Sequence, residues 1–310
     1  MNILMYGAGA LGAYFGGRLL EKGHNIYFFV REKRALQLQK EGLHIDSPQG
    51  DLKTSDLTLF TDPEEVKNID LIILAIKGYH LNDALPQIEM IQKNNQAFVL
   101  PLLNGMEHIP RLQETLGEEY ILGGFASMIA TLNEKGHVVH SNQTSSITFG
   151  TLHSRQKNIC ASLADIGEGI TNTTIQFSDH IKKLMWRKYT FITAFSGVTT
   201  ATNLPAGFIA KHDATYEVAK NVVEEMAEIA AKDGIRFTKE EIEQIAENQR
   251  QMPKESTSSM HQDFRKGLPI EVEHLHGGAL RFAEKYGVQA PTIQTIYGLL
   301  KPYEHGRIDL

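Results

Sequence analysis

Residues 2–17 read Asn2-Ile3-Leu4-Met5-Tyr6-Gly7-Ala8-Gly9-Ala10-Leu11-Gly12-Ala13-Tyr14-Phe15-Gly16-Gly17, and this stretch decides the fold. Ile3 to Tyr6 is a short apolar run of the kind that forms a buried strand. It meets Gly7-x-Gly9-x-x-Gly12, and apolar residues at helical spacing follow (Leu11, Phe15, Leu19, Leu20). Strand, glycine turn and helix in that order form the context in which three glycines read as a dinucleotide fingerprint. Gly7 permits the tight turn. Gly9, lacking a Cβ, lets a pyrophosphate approach the backbone, and Gly12 lets the helix pack close to the strand. The N–H groups and positive dipole end of the helix then face the phosphates, so Gly7, Ala8, Gly9, Ala10, Leu11 and Gly12 are the expected cofactor contacts.

Working outward, Asn25 to Val30 reads as the second strand, and its end bears on cofactor choice. An Asp or Glu there would bind the ribose 2′-OH of NAD. This chain has Arg31-Glu32-Lys33-Arg34 instead. A guanidinium at that place suits a 2′-phosphate, so the expected cofactor is NADPH/NADP+, with Arg31 as its main contact and Glu32 as an acidic neighbour. Leu43 to Asp46 and Lys53 to Leu59 read as a hairpin around Pro48-Gln49-Gly50, and Asp62-Pro63-Glu64-Glu65 as a helix start. Asp70 to Ile76 and Ala97 to Leu103 are continuous apolar runs, the pattern of parallel strands buried on both faces. Lys77 and Asn104 stand at their carboxyl ends, the edge of an open α/β sheet that faces ligand. From Ile121 to Leu152 the strands follow one another as a meander and are expected to complete the sheet with antiparallel members.

The chain has 310 residues with a hydrophobic content of 42% and a charged content of 22%. Those values fit a globular protein of about two domains. Its 31 basic and 37 acidic residues leave a net charge of −6. That gives no footprint for nucleic acid or for an anionic membrane surface. The single cysteine, Cys160, excludes an internal disulfide framework and a thiolate metal cluster; the thirteen histidines show no ligand spacing, so no metal site is expected. No basic leader precedes the first strand and no apolar run reaches membrane-spanning length, so the expected location is the cytoplasm.

Beyond about residue 178 the period changes to helical. Ile181, Leu184, Met185, Lys188 and Ile192 share a face of a long, mostly apolar helix, in which Lys188 either snorkels to solvent or is placed for use. Helices are then expected over Tyr216 to Lys232, Lys239 to Gln249 (polar, on the surface), Met252 to Gly267, Ile270 to Tyr286 and Pro291 to Leu300. The predicted fold is therefore α/β: a Rossmann-type doubly wound sheet domain over 1–178, then an all-α domain over 179–310. The apolar helices of the second domain suit a compact bundle or a homodimer surface.

At these residues the chain resembles the ketopantoate reductase (2-dehydropantoate 2-reductase) family over essentially its whole length. The resemblance rests on Gly7-Ala8-Gly9-Ala10-Leu11-Gly12, Lys77, Asn104-Gly105-Met106, Trp186-Arg187-Lys188, Ser258-Ser259-Met260-His261-Gln262-Asp263 and Glu271. In the family a Glu follows the second Ser of Ser-Ser-Met-x-x-Asp by twelve residues, a spacing that Ser259 and Glu271 reproduce. The resemblance implies NADPH-dependent reduction of a 2-keto acid to a 2-hydroxy acid, in a cleft between the domains, with ketopantoate as the first substrate. It implies that Lys188 is the general acid and that Glu271 orients Lys188 or the substrate hydroxyl. By the same resemblance, Asn104 and Lys77 lie near the nicotinamide and the substrate, and Asn104, Asn203, Ser259 and Glu271 contact the substrate. Two positions depart from the family pattern: Ile192 and Ser196 stand where pantothenate-pathway enzymes carry asparagines. They make this pocket more apolar, and residues 186–199 look more like the family's paralogues. Two competing functions follow, a reductase of another keto acid or carbonyl and a non-catalytic NADP(H)-binding sensor.

Overall fold

The computed structural model describes residues 1–307. By its internal contacts the chain forms two compact units. One comprises Met1–Leu103 and His108–Ile181; the other comprises Asn104–Glu107 and the chain from Lys182 onward.

The first unit runs β1 (Asn2–Tyr6), α1 (Ala10–Glu21), β2 (Asn25–Phe29), α2 (Glu32–Glu41), β3 (Leu43–Asp46), β4 (Leu52–Thr54), β5 (Thr58–Phe60), β6 (Leu71–Leu74), α3 (Leu81–Asn95) and β7 (Phe98–Pro101). It continues with α4 (His108–Leu116), β8 (Gly123–Ser127), β9 (Ala130–Leu132), β10 (Val138–His140), β11 (Ser146–Gly150), α5 (Lys157–Glu168) and β12 (Thr174–Phe177). Five strands pair in parallel in the order β5-β2-β1-β6-β7. The chain order therefore reverses at β1, the switch point where open α/β sheets bind ligand beyond their carboxyl ends. β6 reads Leu-Ile-Ile-Leu, and all four side chains are buried. Each contributes roughly 1.5–3 kcal/mol by leaving water, which explains why a strand covered on both faces shows no polar alternation. Ile3 and Met5 of β1 and Ile73 of β6 share this core with Tyr14 and Phe15 of α1.

Two expectations for this unit are corrected. The later strands do not complete the parallel sheet. They join two smaller sheets, β4-β3-β10-β9 and β12-β11-β8, and an isolated bridge from Val99 of β7 reaches Ile121 just before β8. The run Lys53 to Leu59 is not one strand either. A turn intervenes, in which Thr54 Oγ1 accepts from the Asp56 N–H at 3.2 Å, and it sends β4 into a small sheet and β5 to the edge of the large one. The helix start at Asp62 amounts to a single 3-10 turn, Pro63–Glu65, capped by the Asp62 side chain. It stops because Val66 returns to extended backbone and is fully buried.

The second unit is helical: α6 (Ile181–Thr202), α7 (Gly207–Lys211), α8 (Asp213–Lys232), α9 (Lys239–Gln251), α10 (Ser259–Arg265), a π-helical turn (Glu273–Gly277), α11 (Gly278–Tyr286) and α12 (Pro291–Leu300). Asp233 at the end of α8 anchors α6. It accepts from Trp186 Nε1 at 2.9 Å and from Tyr286 OH at 2.6 Å, and pairs with Lys182 Nζ at 2.9 Å. Residues 252–258 are not helical as expected. Ser256 N–H closes a turn on Pro253 O, and Ser258 caps a shorter α10. Helix α9, expected on the surface, buries Ile245, Ala246 and Gln249.

Candidate active site

The glycine turn follows directly from β1. Gly7 lies at φ +98° and its N–H donates to Phe29 O at 2.9 Å. At Gly12 a Cβ would come within 2.0 Å of Gly7 O, so turn and helix meet backbone to backbone. Gly9 is the opposite case: nothing lies within 4 Å of where its Cβ would stand. No side chain caps α1. Ala8 is buried, while Ala10 and Leu11 are partly exposed at the first turn. An uncapped helix N-terminus beside open space at a glycine fits a dinucleotide pyrophosphate.

Strands on either side of β1 bring up two cations. β2 ends at Phe29, and Arg31 follows as the exposed N-cap residue of α2. Arg34, in the same basic run, is structural. Its Nε donates to Ala8 O at 2.9 Å and its Nη1 to Gly136 O at 2.8 Å, bracing the glycine turn. Beyond β6, Lys77 is the partly buried N-cap of a 3-10 turn, Gly78–His80.

In the second unit, Lys188, Asn104 and Glu271 come together. Lys188 Nζ donates to Asn104 Oδ1 at 3.1 Å. Burial pulls the Lys188 ammonium well below a lysine's ordinary value, to about 8, against the charge of Glu271, which holds it up. Glu271 is itself buried, and its carbonyl accepts from Leu275 N–H as the π-helical turn begins. Lys188 is fixed through its helix: the next residue, Tyr189, is buried and its hydroxyl donates to Leu275 O at 2.6 Å. The arrangement holds a primary ammonium at a near-neutral pKa between a fixed amide oxygen and a carboxylate. Such a group can donate a proton to a developing alkoxide and stabilise its charge.

The other expected substrate residues sit elsewhere in this unit. Asn203 lies just past α6 with φ +54°, exposed, and its Oδ1 meets His261 Nε2 at 3.0 Å. Ser259 is the exposed first residue of α10. Its neighbour Ser258 is the buried one: Ser258 Oγ accepts from His261 N–H at 3.0 Å and lies 3.3 Å from Thr199 Oγ1. Ser258 stands in the sequence motif, and a serine directly before a helical run is an N-cap signal that marks it for this place. Glu107 and Arg281 ion-pair across 174 residues of chain; no local pattern announces such a pair.

One unit thus carries a glycine-cradled parallel sheet, and the other a partly buried Lys–Asn–Glu group in which Glu271 is buried. Two family models match the chain, ketopantoate reductase PanE/ApbA over residues 3–154 and ketopantoate reductase PanE/ApbA C terminal over residues 180–304. The chain belongs to the ketopantoate reductase family, as its motifs led us to expect. It is 31% identical to an uncharacterised oxidoreductase, YkpB, of Bacillus subtilis, over 98% of this chain and 99% of that protein. To the 2-dehydropantoate 2-reductase of Pyrococcus abyssi it is 26% identical, over 98% of each chain. Among solved structures, a D-mandelate dehydrogenase bound to NADH and anilino(oxo)acetate shares the fold, with a TM-score of 0.87 at 24% identity over 98% of each chain.

Proposed function

We propose that this protein is an NADPH-dependent 2-keto acid reductase and that its substrate is 2-dehydropantoate, reduced to pantoate for pantothenate and coenzyme A synthesis in the cytoplasm. The observation that carries the reading is the partly buried Lys188 ammonium, held 3.1 Å from Asn104 Oδ1 and supported by the charge of Glu271. A bound reduced nicotinamide supplies the hydride. The chain's own residues do the rest. The turn Gly7–Gly12 takes the pyrophosphate, and Lys77 lies past the strand beside it. Lys188 donates a hydrogen bond to the substrate carbonyl oxygen, steadies the negative charge that builds there as hydride arrives, and gives that proton to it, leaving the hydroxyl and a neutral amine. Asn104 and Glu271 hold the ammonium in place and keep enough of it charged at neutral pH. Ser259, at the start of α10, offers a donor for the substrate carboxylate, and Asn203 closes the substrate side through its amide. NADPH is favoured over NADH because Arg31 is exposed at the end of β2, where an NAD enzyme would carry an acid.

A second reading has its own observation. Ile192 lies one helical turn after Lys188 on α6 and is partly exposed, while Ser196 is buried. That stretch of helix presents an apolar side chain where an amide would hold a hydroxylated substrate, so a 2-keto acid with a larger apolar group is the alternative. The test is NADPH oxidation, followed by its near-ultraviolet absorbance, against 2-dehydropantoate and a panel of apolar 2-keto acids, with NADH in parallel. A kcat/KM for 2-dehydropantoate far above the rest supports the first reading. Preference for a bulky apolar acid replaces it with the second, and NADPH binding without turnover on any keto acid removes both.

A further inference from the structure

The four residues Asn104–Glu107 cluster with the helical unit although the chain on both sides of them belongs to the first unit. Contacts of two kinds fix them there. Gly105 lies at φ +84°, and a Cβ on it would come within 2.9 Å of His274 O, so its backbone rests directly on the π-helical turn. Glu107 makes a two-point ion pair with Arg281 of α11, Nε to Oε1 at 2.5 Å and Nη2 to Oε2 at 2.7 Å. Arg281 is itself fixed. It donates to Glu273 O at 3.1 Å and pairs with the Glu273 carboxylate, which also accepts from Tyr297 OH at 2.8 Å and from Lys301. The side chains of Arg281 and Glu107 are 44% and 35% exposed. A pair that open to water adds little to overall stability. The planar fork nevertheless sets the orientation of the carboxylate it grips.

We propose that Arg281, acting through Glu107, is a positioning residue for the reaction: it sets the Asn104–Glu107 segment so that Asn104 Oδ1 meets Lys188 Nζ. This rests on the reading of Lys188 as the proton donor. The same π-helical turn holds both partners, because Leu275 O anchors Tyr189 next to Lys188 and His274 O supports Gly105 next to Asn104. Loosening the fork lets Asn104 leave the ammonium. The charged form of Lys188 then loses an acceptor, while Glu271 stays as its charged neighbour.

The experiment compares Arg281→Lys, Glu107→Gln and the double variant with the wild type, reading kcat, KM and the pH dependence of kcat/KM. Lys301→Met serves as a control that cuts a bond to Glu273 and leaves the Glu107–Arg281 fork. We expect each single variant to lose about tenfold in kcat with keto acid KM changed much less. Its high-pH fall should move about one pH unit to lower pH, the tenfold change in protonation equilibrium that a hydrogen bond to a charged group carries. The double variant should be no worse than the worse single one, because both break the same link. Lys301→Met should match the wild type. Thermal unfolding of each variant shows that it folds, and Glu107→Gln, which keeps an acceptor, is the milder case if Arg281→Lys does not. A wild-type pH limb in both single variants overturns the proposal, as does additive loss in the double variant or an equal shift in Lys301→Met. Lys188→Ala separates the two levels: if it retains activity the proton-donor reading fails, and if it is inactive while the fork variants behave as wild type only the positioning role fails.

Discussion

Lys188 gives the reductase reading a titration that can be followed. A free lysine titrates near 10.4, and burial brings Lys188 to about 8. At about 1.36 kcal/mol per unit, the difference corresponds to at most about 3 kcal/mol in favour of the neutral amine, an upper figure because part of the residue reaches solvent. A proton donor works as the ammonium, so activity is present below the pKa and lost as pH rises through it. About nine-tenths of Lys188 is charged at pH 7 and a little under one-tenth at pH 9, so the rate should fall about tenfold between them. A lysine at its ordinary value would lose almost nothing over that range. The assay is the initial rate of NADPH oxidation with keto acid varied, at saturating NADPH and constant ionic strength. The quantity to plot is kcat/KM, which reports ionisations of the form that meets the substrate. Lys188→Ala should lose at least about 10²-fold, and its residual rate should show no fall near pH 8. A wild-type profile level to pH 9, or a fall near pH 8 that survives in Lys188→Ala, would refute the assignment of Lys188 as the donor.

Three further results follow from the same geometry. Glu271 holds the Lys188 pKa up against burial, so Glu271→Gln should move the fall in kcat/KM to lower pH and cut the rate at neutral pH; a shift to higher pH would contradict the charge relation. Arg31→Ala should weaken NADPH binding about 10- to 100-fold, the loss of one charge-assisted contact to a phosphate, and leave NADH nearly unchanged; equal losses by fluorescence titration would show that Arg31 does not read the 2′-phosphate. Gly9→Ala and Gly12→Ala should part company. The first adds a methyl to open space and should weaken cofactor binding with little change in Tm, whereas the second forces a Cβ to within 2.0 Å of Gly7 O and should cost about 1–3 kcal/mol of stability. A Gly9→Ala protein that unfolds early, or a Gly12→Ala protein as stable as the wild type, would count against this geometry.

The first unit was legible because its elements are local. Ile3 to Tyr6, the glycines and the run Asp70 to Ile76 each carry their own signal, and the parallel order follows from βαβ connection. Pairing partners were less visible. Nothing in Lys53 to Leu59 shows that a turn at Ser55 and Asp56 divides two strands, and nothing in Ile121 to Leu152 shows that those strands take β3 and β12 as partners in small sheets instead of joining the large one. In the helical unit the spacing of apolar residues located α6, α8 and α12, but local capping set the limits of α10: Pro253 starts a turn and Ser258 takes the cap. The Lys188 neighbourhood was legible only in its residue types. Asn104 and Glu271 lie 84 and 83 residues away in sequence, on opposite sides of it, and periodicity carries no information at that range.

That long range follows from the physics of burying a lysine in α6. Several buried polar side chains of this helix find partners nearby or at fixed anchors: Thr193 and Thr199 donate to the carbonyls four residues before them, at 2.8 and 2.6 Å, and Trp186 donates to Asp233, whereas the buried hydroxyls of Thr190 and Thr200 make no hydrogen bond. A threonine hydroxyl can be satisfied within its own helix because its reach matches one turn. An ammonium cannot, since its charge needs an opposite charge or several acceptors to stay out of water. The partners must therefore come from other elements, and here they are Asn104 from the segment between β7 and α4 and Glu271 from the start of the π-helical turn. Both sit against that turn: a Cβ on Gly105, next to Asn104, would come within 2.9 Å of His274 O, and Glu271 O accepts from Leu275 N–H. The pKa of Lys188 thus depends on how firmly two distant pieces of chain are held, and a substitution that leaves every residue touching Lys188 in place can still move its titration.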